Sequence, residues 1–239
     1  MSAGAEGDAA TRVALSHLCQ IYWRPIFAFI CRRGHSASDS QDLTQDFFVS
    51  VLDGDILQRA DPARGRFRSL LLWKLQNFLK DEHSKRHAKK RGGDFEFVSW
   101  DDWMLETPSH LSLSQHALEA STPERLFDIR WAATVVEQAV ARLREECSAR
   151  GRRRVFDALS VYLATERTDV SYDNLARSLG VEERAVKRLL HQLRVRYRAL
   201  LREEVARTVE EDSDVEDEIR YLCAAIVAGE GGEVASNGQ

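Results

Sequence analysis

The sequence has few of the features that mark membrane, secreted or sheet-rich proteins. Its 239 residues include only 4 prolines and 4 cysteines, and no two cysteines form a Cys-x-x-Cys pair. That spacing indicates reduced thiols and argues against a disulfide framework or a zinc site. No segment approaches the roughly 18–20 uncharged apolar residues of a membrane span, and the N-terminus lacks the basic start and apolar core of a signal peptide. We expect a cytoplasmic protein with no membrane partner.

Motifs of common enzyme sites are also missing. The sequence contains no glycine-rich phosphate loop, no His-Glu-x-x-His motif and no nucleophile elbow. The paired acids Asp101 and Asp102 lie among loop signals and have no convincing catalytic partner. We therefore expect a protein that is not an enzyme and that uses neither a cofactor nor a metal ion.

Leu, Ala, Arg and Glu dominate the composition, and apolar residues recur at helical spacing through most of the chain. These patterns predict an all-α fold of two small helical domains joined by a flexible linker. The expected order is a disordered N-terminus (1–10), a first domain (11–93), a linker without periodicity (94–123), a second domain (124–208) and an acidic C-terminal extension (209–239).

Local signals predict where several helices begin and end. Gly34 should end the first helix, which Pro25 is expected to bend or break. Ser38 is the expected N-cap of the second helix, and a third helix should start near residue 66 and continue into a basic run. Thr122 and Pro123 should open a new helix, because proline suits the first helical turn.

Charge is unevenly distributed, although the formal net charge is only −4. Residues 37–61 hold six acids and one base, and residues 203–220 hold nine acids and two bases. In contrast, residues 64–92 hold ten bases and two acids, and residues 150–200 hold twelve bases and six acids. Two basic blocks in an acidic chain indicate two contacts with a polyanion; the alternative is ordinary solvated helix faces.

Residues 171–200 carry a helix-turn-helix pattern. Leu175 and Ala176 should face inward on a short helix, Gly180 should form the turn, and Val181 should pack beneath it. The second helix then presents an outward face of charged side chains that suits the major groove. That face consists of Glu182, Glu183, Arg184, Lys187, Arg188 and His191. Further along, Arg194, Arg196 and Arg198 would meet phosphate or stay solvated; the alternative is a plain helical hairpin.

The N-terminal half combines an acidic helix with a basic, aromatic one. The acidic helix would offer carboxylates and the exposed edges of Phe47 or Phe48 to a basic partner. On the following helix, aromatic side chains alternate with Lys and Arg, which suits stacking on single-stranded bases at about 1–3 kcal/mol per base. The alternative places the aromatics in the core, and for Trp73 and Phe78 taken singly we favour the core.

Three segments together resemble the sigma-70 family of bacterial RNA polymerase sigma factors, in its extracytoplasmic-function (ECF) subfamily. Residues 40–48 look like the core-polymerase-binding helix, residues 65–77 like the helix that melts and reads the −10 promoter element, and residues 171–197 like the domain that reads the −35 element. The resemblance covers about residues 11–93 and 124–205, which would be sigma domains 2 and 4.

The resemblance implies partners and site residues. Core RNA polymerase, through its β and β′ subunits, and promoter DNA, both double-stranded and locally melted, would be the partners. Polymerase binding is implied for Asp42, Leu43, Gln45, Asp46 and Phe48. Contact with the −10 element is implied for Arg66, Phe67, Arg68, Asn77, Arg86, Lys89, Lys90 and Arg91. Within the outward face defined above, Arg184, Lys187 and Arg188 would read the −35 element.

The chain also departs from the family pattern. Leu70 and Leu71 stand where the family often has Trp-Leu, and Trp73 follows two residues later. The C-terminal extension resembles that of a subgroup associated with Ser/Thr kinases, so a kinase or an anti-sigma factor is a further expected partner. Because the extension is acidic, it could also shield the recognition helix in the free protein.

Other functions remain open at this point. A stand-alone helix-turn-helix transcriptional regulator would need only the C-terminal segment, but it leaves the acidic helix and the −10-like helix unexplained. An adaptor that contacts protein and reads no DNA would not need a basic recognition helix. An enzyme is the weakest of the alternatives.

Overall fold

The computed structural model describes residues 3–52, 67–89, 113–164, 170–209 and 211–230, except the side chains of residues 3–15, 17, 85–89 and 212. Within these ranges the chain forms helices and no strand, which confirms the all-α prediction there. The helices are α1 (Ala3–Arg32), α2 (Ala37–Leu52), α3 (Phe67–Lys89), α4 (Gln115–Glu119), α5 (Pro123–Ala149), α6 (Arg153–Leu159), α7 (Tyr172–Leu179), α8 (Glu183–Ala206) and α9 (Val215–Gly229). Short 3₁₀ turns lie at Ser160–Tyr162 and Asp212–Asp214.

Helix α5 is the central element, and α1, α8 and α9 pack along it. It begins as predicted, because Thr122 Oγ1 accepts a hydrogen bond from Arg125 N at 3.2 Å and Pro123 occupies the first turn. Apolar residues lie on several sides of α5. Trp131 and Val135 are fully buried in one hydrophobic cluster, and other apolar side chains of α5 pack against α1 and α4 in a second cluster. A helix that is apolar on several sides must be covered on several sides, which explains its central place.

Helices α1, α2 and α3 form the N-terminal part of the core. Phe47 on α2 meets Phe78 on α3 edge to face at 5.5 Å, and Tyr22 on α1 meets Phe67 at 5.7 Å. Leu71 on α3 is fully buried. Phe67 and Phe78 therefore serve the core, as the core alternative for Phe78 predicted.

The N-terminal helices and the C-terminal helices share one hydrophobic cluster. Tyr22 on α1 stacks on Phe127 on α5 with ring centroids 6.4 Å apart, and Arg24 donates to both carboxylate oxygens of Glu137 at 3.0 and 2.7 Å. Much of the predicted linker (94–123) lies outside the described residues, and the rest forms α4 and its Ser114 cap. The division into two domains with a flexible linker stays a prediction.

Three local features differ from expectation. Helix α1 starts at Ala3, inside the segment predicted to be disordered, where alanines favour helix. It continues through Pro25 without a break, since Ile26 and Phe29 are buried just beyond the proline and their packing offsets its lost hydrogen bond. Ser36, and not Ser38, caps α2: its Oγ accepts from Asp39 N at 3.1 Å.

Candidate nucleic-acid interface

Helices α7 and α8 form the helix-turn-helix that the pattern over residues 171–200 predicted. Leu175 and Ala176 are buried on α7, and Val186 and Leu190 are buried on α8. Gly180 makes the turn in the left-handed conformation, with φ +69° and ψ +35°, and its N–H donates to Ala176 O. A left-handed glycine at this position ends α7 and redirects the chain into α8.

The outward face of α8 is exposed at all six predicted positions: Glu182, Glu183, Arg184, Lys187, Arg188 and His191. An exposed ion pair joins Lys187 Nζ to Glu183 Oε1 at 2.5 Å, and Nζ lies 5.1 Å from the centre of the Tyr172 ring. These contacts hold Lys187 near the N-terminal end of α8, the end that approaches base edges in helix-turn-helix proteins. Val181, expected beneath the turn, is instead exposed.

Two of the three arginines further along α8 bond to groups of the protein itself, so they are not available to bind DNA phosphates. Arg194 donates to Tyr162 O from Nε at 3.2 Å and from Nη2 at 2.9 Å. Arg196 forms a fork with Glu146 at 2.9 and 2.6 Å and also bonds Glu203, and these contacts raise its pKa. Their role is to fix α8 on its neighbours, whereas Arg198 remains exposed.

A group of arginines at the start of α6 lies in the second basic block of the sequence, outside the predicted site residues. Arg150, Arg152, Arg153 and Arg154 are exposed, and Arg154 Nη2 donates to Ser178 O at 2.8 Å. That bond places the group beside the helix-turn-helix turn. The signal in the sequence was the dense run of arginines around one glycine.

Helix α2 presents the predicted acidic surface only in part. Asp42, Gln45 and Asp46 are exposed, as a contact with a partner requires. Leu43 and Phe48 are buried, so they support the surface from beneath and do not reach a partner in this arrangement. Phe48 stacks on Trp23 with centroids 5.8 Å apart and planes 4° from parallel.

Sequence reasoning missed the apolar part of this surface and expected exposed edges of Phe47 or Phe48 in its place. Phe47 is fully buried, and the exposed apolar residues on α2 are Val49 and Leu52. Val49 follows Asp42, Gln45 and Asp46 at helical spacing, so the four residues share one face. We call these four residues the α2 face.

On α3, Trp73 is the most exposed aromatic, at 62%, which contradicts the core assignment favoured from the sequence. Ser69, Lys80 and Ser84 are also exposed, and Asn77 is half-buried. Their spacing puts all five on one side of the helix. We call Ser69, Trp73, Asn77, Lys80 and Ser84 the α3 face.

Arg68, expected at the −10 element, is 6% exposed and bonds Asp128 and Glu218 inside the protein. Phe67 packs on Tyr22 and is likewise not offered to DNA. The sequence could not distinguish these inward positions from outward ones because α3 carries apolar side chains on more than one side. The remaining predicted contacts lie outside the described residues or side chains: Arg66, Arg86, Lys89, Lys90 and Arg91.

The acidic extension does not shield the recognition helix over its described part. Helix α9 packs on α5 and on α8, burying Val215 and Leu222, and Glu216 pairs with Arg202 near the C-terminal end of α8. The outward face of α8 lies at the opposite end of that helix. Among the described residues, Glu216 and Glu218 of the extension bond arginines on other helices, and neither covers the outward face of α8.

No family model, curated protein or solved structure matches the chain in comparisons with known proteins. In the part of the chain that the structure describes, no helix has the length and apolar character needed to cross a bilayer. Over the same residues, no three His, Cys, Asp or Glu side chains are grouped as a metal site would require.

Proposed function

We propose that the chain is a sigma factor that binds core RNA polymerase and directs promoter-specific initiation. Its α8 outward face would read the −35 element, and its α3 face, with Trp73, would engage the melted −10 element. As a subunit that positions DNA for the polymerase it would catalyse no reaction, and it would act in the cytoplasm.

The observation that carries this proposal is the pairing of two exposed surfaces of opposite character. The recognition face of α8 suits DNA, because Arg184 and Arg188 can donate to guanine and to phosphate. The α2 face joins two exposed carboxylates, Asp42 and Asp46, to the exposed Val49. Unlike the outward face of α8, the α2 face carries carboxylates and no base, so it suits a basic protein partner, and a factor that bridges polymerase and promoter needs both surfaces.

The exposed Trp73 supports the same function. A large aromatic on a helix surface loses the free energy of burial, and its flat ring is suited to stacking on an unpaired base. Lys80 is exposed two turns along the same face, and in this proposal it would follow the phosphate backbone.

A stand-alone helix-turn-helix regulator is the second candidate. Helices α7 and α8 support this function on their own, since all six predicted side chains of the outward face of α8 are exposed. Such a regulator gives no role to the α2 face or to Trp73.

Run-off transcription with purified core polymerase on a promoter library separates these functions. Specific transcripts should appear with the wild-type chain and vanish with Lys187→Ala or Asp46→Ala. Matched controls are Arg125→Ala on α5 and Asp217→Ala on α9, which each remove one exposed charge from a helix that carries none of the proposed surfaces and should leave transcription unchanged. Sequence-specific DNA binding without any binding of core polymerase would refute the sigma function and favour the stand-alone regulator.

A further inference from the structure

A pocket of about 400 Å³ is lined by residues of both helices of the helix-turn-helix. Tyr172 from the start of α7 forms one wall, and Lys187, Leu190, His191 and Arg194 from α8 form the rest. The four α8 residues recur at helical spacing, so a single face of that helix lines the pocket. We call these five residues the α7–α8 pocket.

The α7–α8 pocket combines an apolar floor with a cationic rim. Leu190 is 1% exposed and belongs to the hydrophobic core, and the half-buried Tyr172 packs against the same core. Lys187 and His191 are exposed, and none of the five lining residues is acidic. A cavity of this size with apolar walls and a few polar groups suits a small ligand that is apolar at one end and anionic at the other.

Contacts around the pocket hold its cations in place before any ligand binds. Lys187 Nζ lies 2.5 Å from Glu183 Oε1 and 5.1 Å from the centre of the Tyr172 ring. An ammonium carries three donors, so Lys187 can bond a second carboxylate beside Glu183. Arg194 donates to Tyr162 O from Nε and Nη2, and it therefore contributes positive charge to the pocket. Side chains that are already positioned lose little conformational freedom on binding.

Contact with DNA accounts for only part of this pocket. Lys187 and His191 belong to the outward face of α8, where DNA contacts are expected. A phosphate is bound by cations and N–H donors and gains nothing from an apolar floor. An aromatic ring, in contrast, would be removed from water against Leu190 and Tyr172, which is favourable.

We propose that the α7–α8 pocket binds a small aromatic carboxylate, with its ring against Tyr172 and Leu190 and its carboxylate on Lys187 and His191. The bound ligand would occupy two side chains of the outward face of α8, so ligand and DNA would exclude each other. This exclusion rests on the proposed function, in which that face reads DNA, whereas binding of the ligand does not. By linkage, DNA would weaken binding of the ligand by the same factor.

The test titrates the full-length, ¹⁵N-labelled chain with 3-phenylpropionate and follows amide chemical shifts by NMR. Amides of α7 and of the first half of α8 should shift and saturate, with a Kd of a few millimolar, as ordinary ligand efficiency gives for a molecule of this size. The neutral 3-phenylpropionamide should bind at least about tenfold more weakly, because it lacks the charge that Lys187 recognises. Equal affinity for the two compounds, or no saturable shift up to about 20 mM acid, would overturn the pocket.

Four variants locate the binding. Lys187→Met removes the ammonium but keeps an apolar stem, and Tyr172→Ala removes the ring; each should weaken binding of the acid at least about tenfold. Tyr172→Phe keeps the ring and should bind as the wild-type chain does. Arg198→Met is the matched control, since it removes an exposed charge from α8 one turn beyond Arg194, outside the lining, and should also bind normally.

Equal losses in Lys187→Met and Arg198→Met would mean diffuse attraction to a positive surface and would overturn the pocket. If Tyr172→Ala loses helix by circular dichroism, Lys187→Met decides the matter, because its side chain is more than half exposed and is not needed for the core.

A second measurement tests the exclusion of DNA. Fluorescence anisotropy follows a labelled duplex of random sequence at low salt, where phosphate contacts give binding to any sequence. A near-saturating concentration of 3-phenylpropionate should raise the apparent Kd of the duplex severalfold, and the same concentration of acetate should not. An unchanged Kd with the acid bound would overturn the exclusion. A chain that binds no duplex would count against the proposed function, while the pocket is still judged by its own NMR titration.

Discussion

Gly180 adopts φ +69° at the turn of the helix-turn-helix, and a Cβ added there would meet nothing within 4 Å. The cost of Gly180→Ala is therefore conformational and involves no clash. A left-handed residue with a Cβ costs about 1–2 kcal/mol, and the stiffer unfolded chain offsets about 0.4–1 kcal/mol of this. We expect a net loss of about 1 kcal/mol in the free energy of unfolding, or about 2–4 °C in Tm.

Urea unfolding followed by circular dichroism measures this loss, and Gly34→Ala at the end of α1 is a matched control. Gly34 has φ +91° and equally open surroundings, so its replacement should also lose stability. Only Gly180→Ala should weaken binding to a −35 duplex, because relief of its strain changes the angle between α7 and α8. Gly180→Asn should lose less, since asparagine tolerates the left-handed region. A Gly180→Ala chain as stable as wild type would refute the reasoning.

Three further predictions concern other parts of the molecule. Trp73→Ala should leave Tm nearly unchanged, because the ring is largely exposed, but should weaken binding of single-stranded −10 DNA by about 1–3 kcal/mol in a titration. The hydrogen bond from Arg196 lowers the pKa of Glu146 below its ordinary value of 4.5, so Glu146 contributes stability at neutral pH that is lost on acidification. The free energy of unfolding of Glu146→Gln should therefore fall less below about pH 5 than that of the wild-type chain. Gly229→Ala should cost about 1–3 kcal/mol in urea unfolding, because its Cβ would lie 2.8 Å from Ile129 Cγ2.

Features that depend on a few neighbouring residues were predictable from the sequence. Thr122 and Pro123 open α5, and Gly34 and Gly180 follow helix ends with φ +91° and φ +69°. In each case the backbone conformation restricts which residue types fit, so residue type reports local geometry. The cap of α2 was misplaced by two residues because several serines lie close together, and only Ser36 is positioned to accept from Asp39 N.

Burial was predictable only where the apolar residues of a helix form one stripe. Helix α8 has such a stripe, and its exposed face lies where the prediction put it. Helix α3 carries apolar side chains on more than one side: Leu71 and Leu75 are fully buried, whereas Trp73 is exposed. Periodicity locates a stripe but does not say which of two apolar sides another helix will cover, so Trp73 was placed in the core.

Arg68 shows the same difficulty for charge. Its partners Asp128 and Glu218 lie 60 and 150 residues away in the sequence, so no local pattern could distinguish it from the outward Lys80 of the same basic block. A resemblance between sequences assigns Arg68 to DNA, whereas the structure buries its side chain between Asp128 and Glu218 with 6% exposure. A guanidinium whose donors are used by these two carboxylates cannot offer them to a polyanion, so Arg68 is not placed to contact DNA in this structure.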